Sequence, residues 1–194
     1  RKESITDIEL GDHTEEAMAV MFLDIRSFTS LSEELSPTQN FAFINSFLSR
    51  MGPVVRRHGG FVDKYVGDGI MALFPSAMND AVAAAVELRR ELQVYNGLRN
   101  NSGYKPVDFG IGIHAGGLML GTIGESQRMD STVISSVVNL AARLEGVTKE
   151  FGCGVVISEL VAEQVGKETW EMRYLGPVAV KGASKPIHVY EVFE

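Results

Sequence analysis

Two aspartates in this sequence occupy positions where an acid needs a partner or a purpose. Asp68 lies in Gly67-Asp68-Gly69, between one run rich in Val and Tyr and another rich in Ile and Phe. A Gly-Asp-Gly between apolar runs predicts a tight β-hairpin with Asp68 at its tip. Asp24 ends the run Met-Ala-Val-Met-Phe-Leu-Asp at residues 18–24, which reads as a central strand buried on both faces. An acid at a hairpin tip has an ordinary explanation, because Asp tolerates turn geometry and bonds its own backbone. An acid where a buried strand becomes a loop is costly unless it is paired, hydrogen-bonded or bound to a metal. If strand and hairpin are neighbours the two carboxylates meet, and hard divalent cations want such oxygen ligands.

The segment between them can bring this about. Ser36-Pro37 marks a helix start, with a capping hydroxyl and proline at the first helical position. Phe41, Ile44, Phe47, Leu48 and Met51 recur at helical spacing and predict a core-facing stripe. Pro53 kinks this helix or starts its last section, and Gly59-Gly60 ends it. A strand, a helix and a returning hairpin then set Asp24 beside Asp68.

Farther along, residues 79–92 form an alanine-rich amphipathic helix, and residues 96–105, rich in Asn, Gly and Ser, form a loop. Residues 107–114 and 118–123 read as two strands of a hairpin turning through Ala115-Gly116-Gly117, with His114 a core or interface histidine. A short strand through Thr132-Val133-Ile134 leads, with Ser136 as cap, into a helix that carries Asn139 and Arg143 on one face at i, i+4. A strand at 152–157, a short helix at 158–165 and closing strands at 170–180 and 186–193 complete the chain, with Lys181 in the last loop.

The 194 residues, 45% hydrophobic and 22% charged, suit one globular domain with a full core. A formal net charge of -7 argues against a nucleic-acid surface, which needs a basic stripe. The single cysteine, Cys153, can form no internal disulfide, so a reducing, cytoplasmic setting is expected. No apolar run approaches the length of a membrane span. Residues 1–16, polar and acidic, read as a linker to an upstream sensor or regulatory region, with residues 17–194 as the domain.

Four ordered motifs carry a resemblance: Phe-Leu-Asp-Ile-Arg-Ser-Phe-Thr at 22–29, Asp-Lys-Tyr-Val-Gly-Asp-Gly at 63–69, Val-Asn-Leu-Ala-Ala-Arg-Leu-Glu at 138–145, and Val-Lys-Gly at 180–182. With them the chain resembles the class III nucleotidyl cyclase catalytic domain, from about residue 18 to the C-terminus. The resemblance implies an α+β fold, a ferredoxin-like or palm-type mixed sheet with helices packed on it, working as a homodimer with active sites between the subunits. It implies that Asp24 and Asp68, helped by the Ile25 carbonyl, hold two divalent cations, Mg2+ or Mn2+. Lys64 and Thr132 would contact adenine, Asn139 and Arg143 the ribose and the reacting phosphate, and Lys181 the terminal phosphates, with Phe28 and Thr29 also against the substrate. The acids would come from one subunit and the base and phosphate contacts from the other.

The implied reaction is conversion of ATP to 3′,5′-cyclic AMP and pyrophosphate. Lys64 can only donate, so it suits the N1 acceptor of adenine and not the N1-H of guanine, and guanylate cyclases of the family usually carry Glu there. Ser135-Ser136 departs from the Gly and acid common in relatives. If the backbone at Ser135 needs positive φ, losing glycine costs about 1 kcal/mol. A guanylate cyclase and a catalytically silent nucleotide-binding dimerisation module are the alternatives. A diguanylate cyclase would need a Gly-Gly-acid-acid-Phe hairpin, which residues 66–70 do not supply.

Overall fold

The computed structural model describes residues 13–125, 128–166, 168–179 and 185–193. Strand β1 (His13–Ile25) is an interior strand of a mixed sheet and lies between β3 (Gly69–Phe74) and β4 (Phe109–Glu125). Outward from β3 comes β2 (Phe61–Val66); outward from β4 come β6 (Val155–Ser158), β8 (Ile187–Val192) and β7 (Met172–Val178). Strand β5 (Arg128–Ile134) pairs with the far half of β4. All pairings are antiparallel except β4 with β6.

Side chains alternate across a strand, so the sheet has two apolar faces and needs helices on both. On one face Met21, Leu23, Ile25, Ile70, Phe74 and Ile111 share a core with helices α2 (Pro37–Arg57), α3 (Met78–Asn101) and α5 (Glu159–Val165). On the other, Met18, Val20, Met71, Leu73 and Leu118 pack against Val137 and Ala141 of α4 (Ser136–Phe151). Asp24 follows Val20 and Phe22 at a spacing of two, which puts it on the α4 side.

Glycine decides how near α4 lies. A Cβ at Gly112 would fall inside contact distance of the Glu145 amide and the Ala141 carbonyl. One at Gly110 would meet the Thr148 hydroxyl, and one at Gly116 would sit 2.7 Å from Val137 Cγ2. Three glycines on one face of β4 therefore let the α4 backbone rest almost on the sheet.

Several local expectations change. Gly116 and Gly117 stay extended, paired with Met18 and Ala17, so β4 is one strand and the hairpin comes later, between β4 and β5. Helix α3 runs through Asn96 and Gly97 to Asn101 because Asn96 faces inward, exchanging hydrogen bonds of 2.8 and 2.9 Å with the Val107 backbone. Residues 13–16, read as linker, belong to β1 and pair with residues 118–121. Residues 1–12 lie outside the described set. A short helix α1 (Phe28–Glu33), not anticipated, precedes α2. The N-terminus of α2 does carry its capping box, Gln39 N–H donating to Ser36 Oγ and Ser36 N–H to Gln39 Oε1. The helix continues through Pro53.

The close fit of α4 on β4 predicts that Gly112→Ala lowers unfolding free energy by about 3 kcal/mol or more, because helix backbone, not a flexible side chain, meets the added methyl. A urea midpoint unchanged by the substitution would remove the glycine account.

Candidate active site

The β1–β3 register aligns Leu23 with Ile70, so Asp24 lies opposite Gly69, the residue after Asp68. Gly67, with φ 62°, makes the tight turn before it. A Cβ on Gly69 would stand 2.6 Å from the Leu23 carbonyl oxygen and 3.2 Å from Asp24 Oδ1. The glycine thus admits the Asp24 carboxylate to the hairpin tip.

Electrostatics at this point are unfavourable without a cation. Burial, and then the negative charge of Asp24, push the Asp68 carboxyl above its ordinary value, against hydrogen bonds from the backbone of Asp68 and Ile25 and the charge of Lys149. Asp68 Oδ2 is buried with no hydrogen-bond partner. The partly exposed Asp24 has its Oδ2 3.4 Å from Lys149 Nζ, which also lies 3.7 Å from Glu145 Oε1. Burial raises the Glu145 carboxyl too, with Lys149 opposing and Asp24 adding to the rise.

An unpartnered buried oxygen, two repelling acids and a strand-end carbonyl at Ile25 form a donor set of the kind hard divalent cations take. Among the described residues no group of three or more His, Cys, Asp or Glu is placed to hold a metal ion. Two carboxylates therefore leave coordination positions for water or a phosphate, as suits a cation arriving with a nucleotide.

The residues after Asp24 are firmly held. Arg26 reaches across the sheet end, its Nε 2.9 Å from Asp108 Oδ2 and its Nη2 donating to the Cys153 carbonyl at 2.6 Å. Asp108 also takes Arg89 at 2.6 Å. Ser27, with φ 54°, is left-handed and caps nothing with its side chain, so the first amides of α1, at Phe28 and Thr29, lack a side-chain acceptor. Amides at a helix start that no cap side chain satisfies favour an anion. Phe28 itself stacks on Phe43 at 6.2 Å.

Lys64 joins the acids' side of the sheet through a bulge. The register shift between Val62 and Lys64 sets Lys64 opposite Met71, which faces α4. Its Nζ is 3.3 Å from Asp63 Oδ2. Asn139 and Arg143 are exposed on α4 and have no hydrogen-bond or ion-pair partner among the described residues. They point away from Asp24 of the same chain, since the α4 face that reaches Asp24 carries Glu145 and Lys149. Thr132 falls in β5 opposite Gly121, with its side chain outside the described set, as is the whole of Lys181.

The cap of α4 is Ser135 and not Ser136: its Oγ accepts from Val137 N–H at 3.1 Å and donates to the Gly117 carbonyl at 2.8 Å. Ser135 is extended, with φ -168°, so no glycine is required there. Sequence reasoning gave no role to Lys149 or Gly69. The Glu145-to-Lys149 spacing of four was a usable sign of the former; the latter depends on strand register.

The fold and the paired acids define a nucleotidyl cyclase domain, and comparison with known proteins agrees. The family model described as the adenylate and guanylate cyclase catalytic domain matches residues 11–193, and the chain belongs to that family. An adenylate cyclase of Anabaena cylindrica is 40% identical over 98% of this chain and 39% of its own length. The terminal-differentiation-specific adenylate cyclase of Dictyostelium discoideum is 35% identical over 97% of this chain and 9% of its own. The chain thus spans well under half the length of these relatives. Among solved structures, the adenylyl cyclase CyaB from P. aeruginosa superposes with TM-score 0.84 at 33% identity, over 94% of this chain and 96% of that one. The guanylyl cyclase Cya2 gives 0.81 at 31% identity, over 92% of each.

Because its folded pKa lies above the unfolded value, Asp68 stabilises the metal-free fold only at pH below the ordinary carboxylate pKa, and this contribution is lost as pH rises through the raised value. In EDTA at neutral pH, Asp68→Asn is therefore expected to melt at a higher temperature than the parent. Mn2+ at a hundredfold excess over Kd should stabilise the parent by about 2.7 kcal/mol and leave the variant unmoved. An equal response of both proteins to Mn2+ would take Asp68 out of the metal site.

Proposed function

We propose that this domain is an adenylate cyclase that converts ATP to 3′,5′-cyclic AMP and pyrophosphate. The ribose 3′-oxygen bonds to the α-phosphorus, the bond from that phosphorus to the β-phosphate bridging oxygen breaks, and the hydroxyl proton passes to water or substrate. The observation that carries this reading is the meeting of Asp24 and Asp68 beside Ile25, with one buried oxygen unpartnered.

Asp24, Asp68 and the Ile25 carbonyl are the groups to hold divalent cations, Mg2+ or Mn2+, and two such ions would lower the 3′-hydroxyl pKa and offset charge on the leaving pyrophosphate. The open first turn of α1, at Phe28 and Thr29, offers amides to the phosphates. Lys181 supplies a cation to the terminal phosphates. Arg143, always charged and fork-shaped, suits the equatorial oxygens of the reacting phosphate, and Asn139 orients the ribose.

The choice of ATP rests on Lys64 and Thr132. A lysine that only donates matches adenine N1, and Thr132 can accept from the 6-amino group. The Anabaena and Dictyostelium relatives are both named adenylate cyclases, which supports the same purine. The fold does not discriminate, since an adenylyl and a guanylyl cyclase superpose about equally well. The extended backbone at Ser135 removes the main reason to suspect a silent module.

A homodimer completes the site. Arg143 and Asn139 are exposed on the far side of α4 from their own chain's acids, which supports their reaching the acids of a second copy. Among the described residues no helix is long and apolar enough to cross a membrane. We place the domain in the cytoplasm, under the control of a sensor elsewhere in a longer polypeptide.

Purified domain with Mn2+ should form cyclic AMP from ATP in preference to cyclic GMP from GTP, and Asp24→Ala should lower the rate by about a thousandfold or more. Preferred turnover of GTP would reverse the purine assignment; nucleotide binding without any product would leave the silent module. Asp68→Ala and Arg143→Ala chains, each inactive alone, should recover one working site of two when mixed. Failure to complement in a confirmed heterodimer would sink the shared site.

A further inference from the structure

On the face of the sheet opposite the acids, a cleft of about 330 Å³ opens between α2 and the C-terminal half of α3. Its size falls at the small end of ligand pockets, and its lining is of the usual kind, apolar with a few convergent polar groups. Leu98 and Tyr104, both exposed, supply apolar surface over a floor of buried Phe43 and Tyr95; Arg50 and Arg99 supply charge.

The two arginines differ. Arg50 is satisfied by Glu91, with its Nη1 2.7 Å from Oε1. Arg99 has no carboxylate partner among the described residues. Its Nε donates to the Lys105 carbonyl at 2.8 Å, and its guanidinium carbon lies 4.8 Å from the Phe43 ring centre, 5.5 Å from Tyr104 and 5.8 Å from Tyr95. Glu34, on the same side of the fold, is taken by Lys105 at 2.9 Å. A half-buried guanidinium is thus held among three rings, with its outer N–H groups uncommitted to any acid.

We infer that this cleft is a binding site for a small aromatic carboxylate. The carboxylate meets the free edge of Arg99 in a charge-assisted, forked hydrogen bond, and the flat body lies on the exposed apolar surface of Leu98 and Tyr104. A cation would be repelled by Arg99, and a neutral molecule would leave the Arg99 charge unanswered. Phe43, beneath Arg99, also stacks on Phe28, so the floor of the cleft continues to the start of α1.

The test is isothermal titration of the intact domain with indole-3-acetate, using neutral indole-3-acetamide as the charge control. Saturable binding of one acid per chain is expected, about tenfold or more tighter than the amide and not displaced by ATP with Mn2+. Arg99→Gln should erase the difference between acid and amide, and Arg99→Lys should keep part of it. Absence of saturable binding, equal affinity for acid and amide, displacement by ATP, or undiminished binding to Arg99→Gln would each overturn the site. Should Arg99→Gln fail to fold, the acid-to-amide ratio on the parent protein decides alone. None of these readouts depends on cyclase turnover, so failure here is separable from failure of the adenylate cyclase reading.

Discussion

Two carboxylates are held together at one end of this sheet against their own repulsion, and much of the architecture serves to keep them there. Asp24 lies near the end of β1 and Asp68 in the turn that opens β3, and these strands are bonded as neighbours, so the two cannot separate far without breaking the ladder between β1 and β3. Gly69 removes the one side chain that would keep them apart. The backbone N–H groups of Asp68 and Ile25 favour the charged form of Asp68, but burial and Asp24 outweigh them. A site that is electrostatically unfavourable when empty gains most when a divalent cation enters. Stability is given up locally at a site whose affinity for a cation is thereby raised.

Lys149 shows how the fold limits that cost. At 3.4 Å from Asp24 and 3.7 Å from Glu145 it offers a single positive charge to two acids. It can do so only because α4 lies low on the sheet, and α4 lies low because Gly110, Gly112 and Gly116 present hydrogen in place of a side chain. The same helix turns Asn139 and Arg143 outward. A helix with one face occupied by its own chain's acid and the opposite face free is suited to serve two sites, one within the subunit and one across an interface.

Much of this was legible in the sequence because it rests on local chemistry. The apolar run before Asp24, the Gly-Asp-Gly turn and the Ser36-Pro37 start of α2 each fix a conformation through residues within a few positions of one another. What was misread depends on partners distant in the chain. Gly116-Gly117 has the composition of a turn, yet it lies in a continuous strand because it pairs with Met18 and Ala17, and Gly116 leaves room for Val137 above it. Asn96 and Gly97 have the composition of a loop, yet α3 continues because Asn96 finds the Val107 backbone. Ser135 carried a doubt borrowed from relatives with glycine there, whereas its extended backbone and its bonds to Val137 and Gly117 need no glycine.

The bulge at Lys64 joins these strands of reasoning. Strict alternation from Val62, which packs with the α2 and α3 core, would return Lys64 to that core, where an unpaired ammonium is costly. One extra residue in β2 sets Lys64 opposite Met71 instead, on the side that bears Asp24. The irregularity therefore has a consequence: the edge strand turns Lys64 to the side that bears Asp24 while Val62 stays packed on the core. No periodicity in the sequence announces such a bulge. The side of the sheet on which Lys64 stands is thus set by strand geometry as much as by the residues around it.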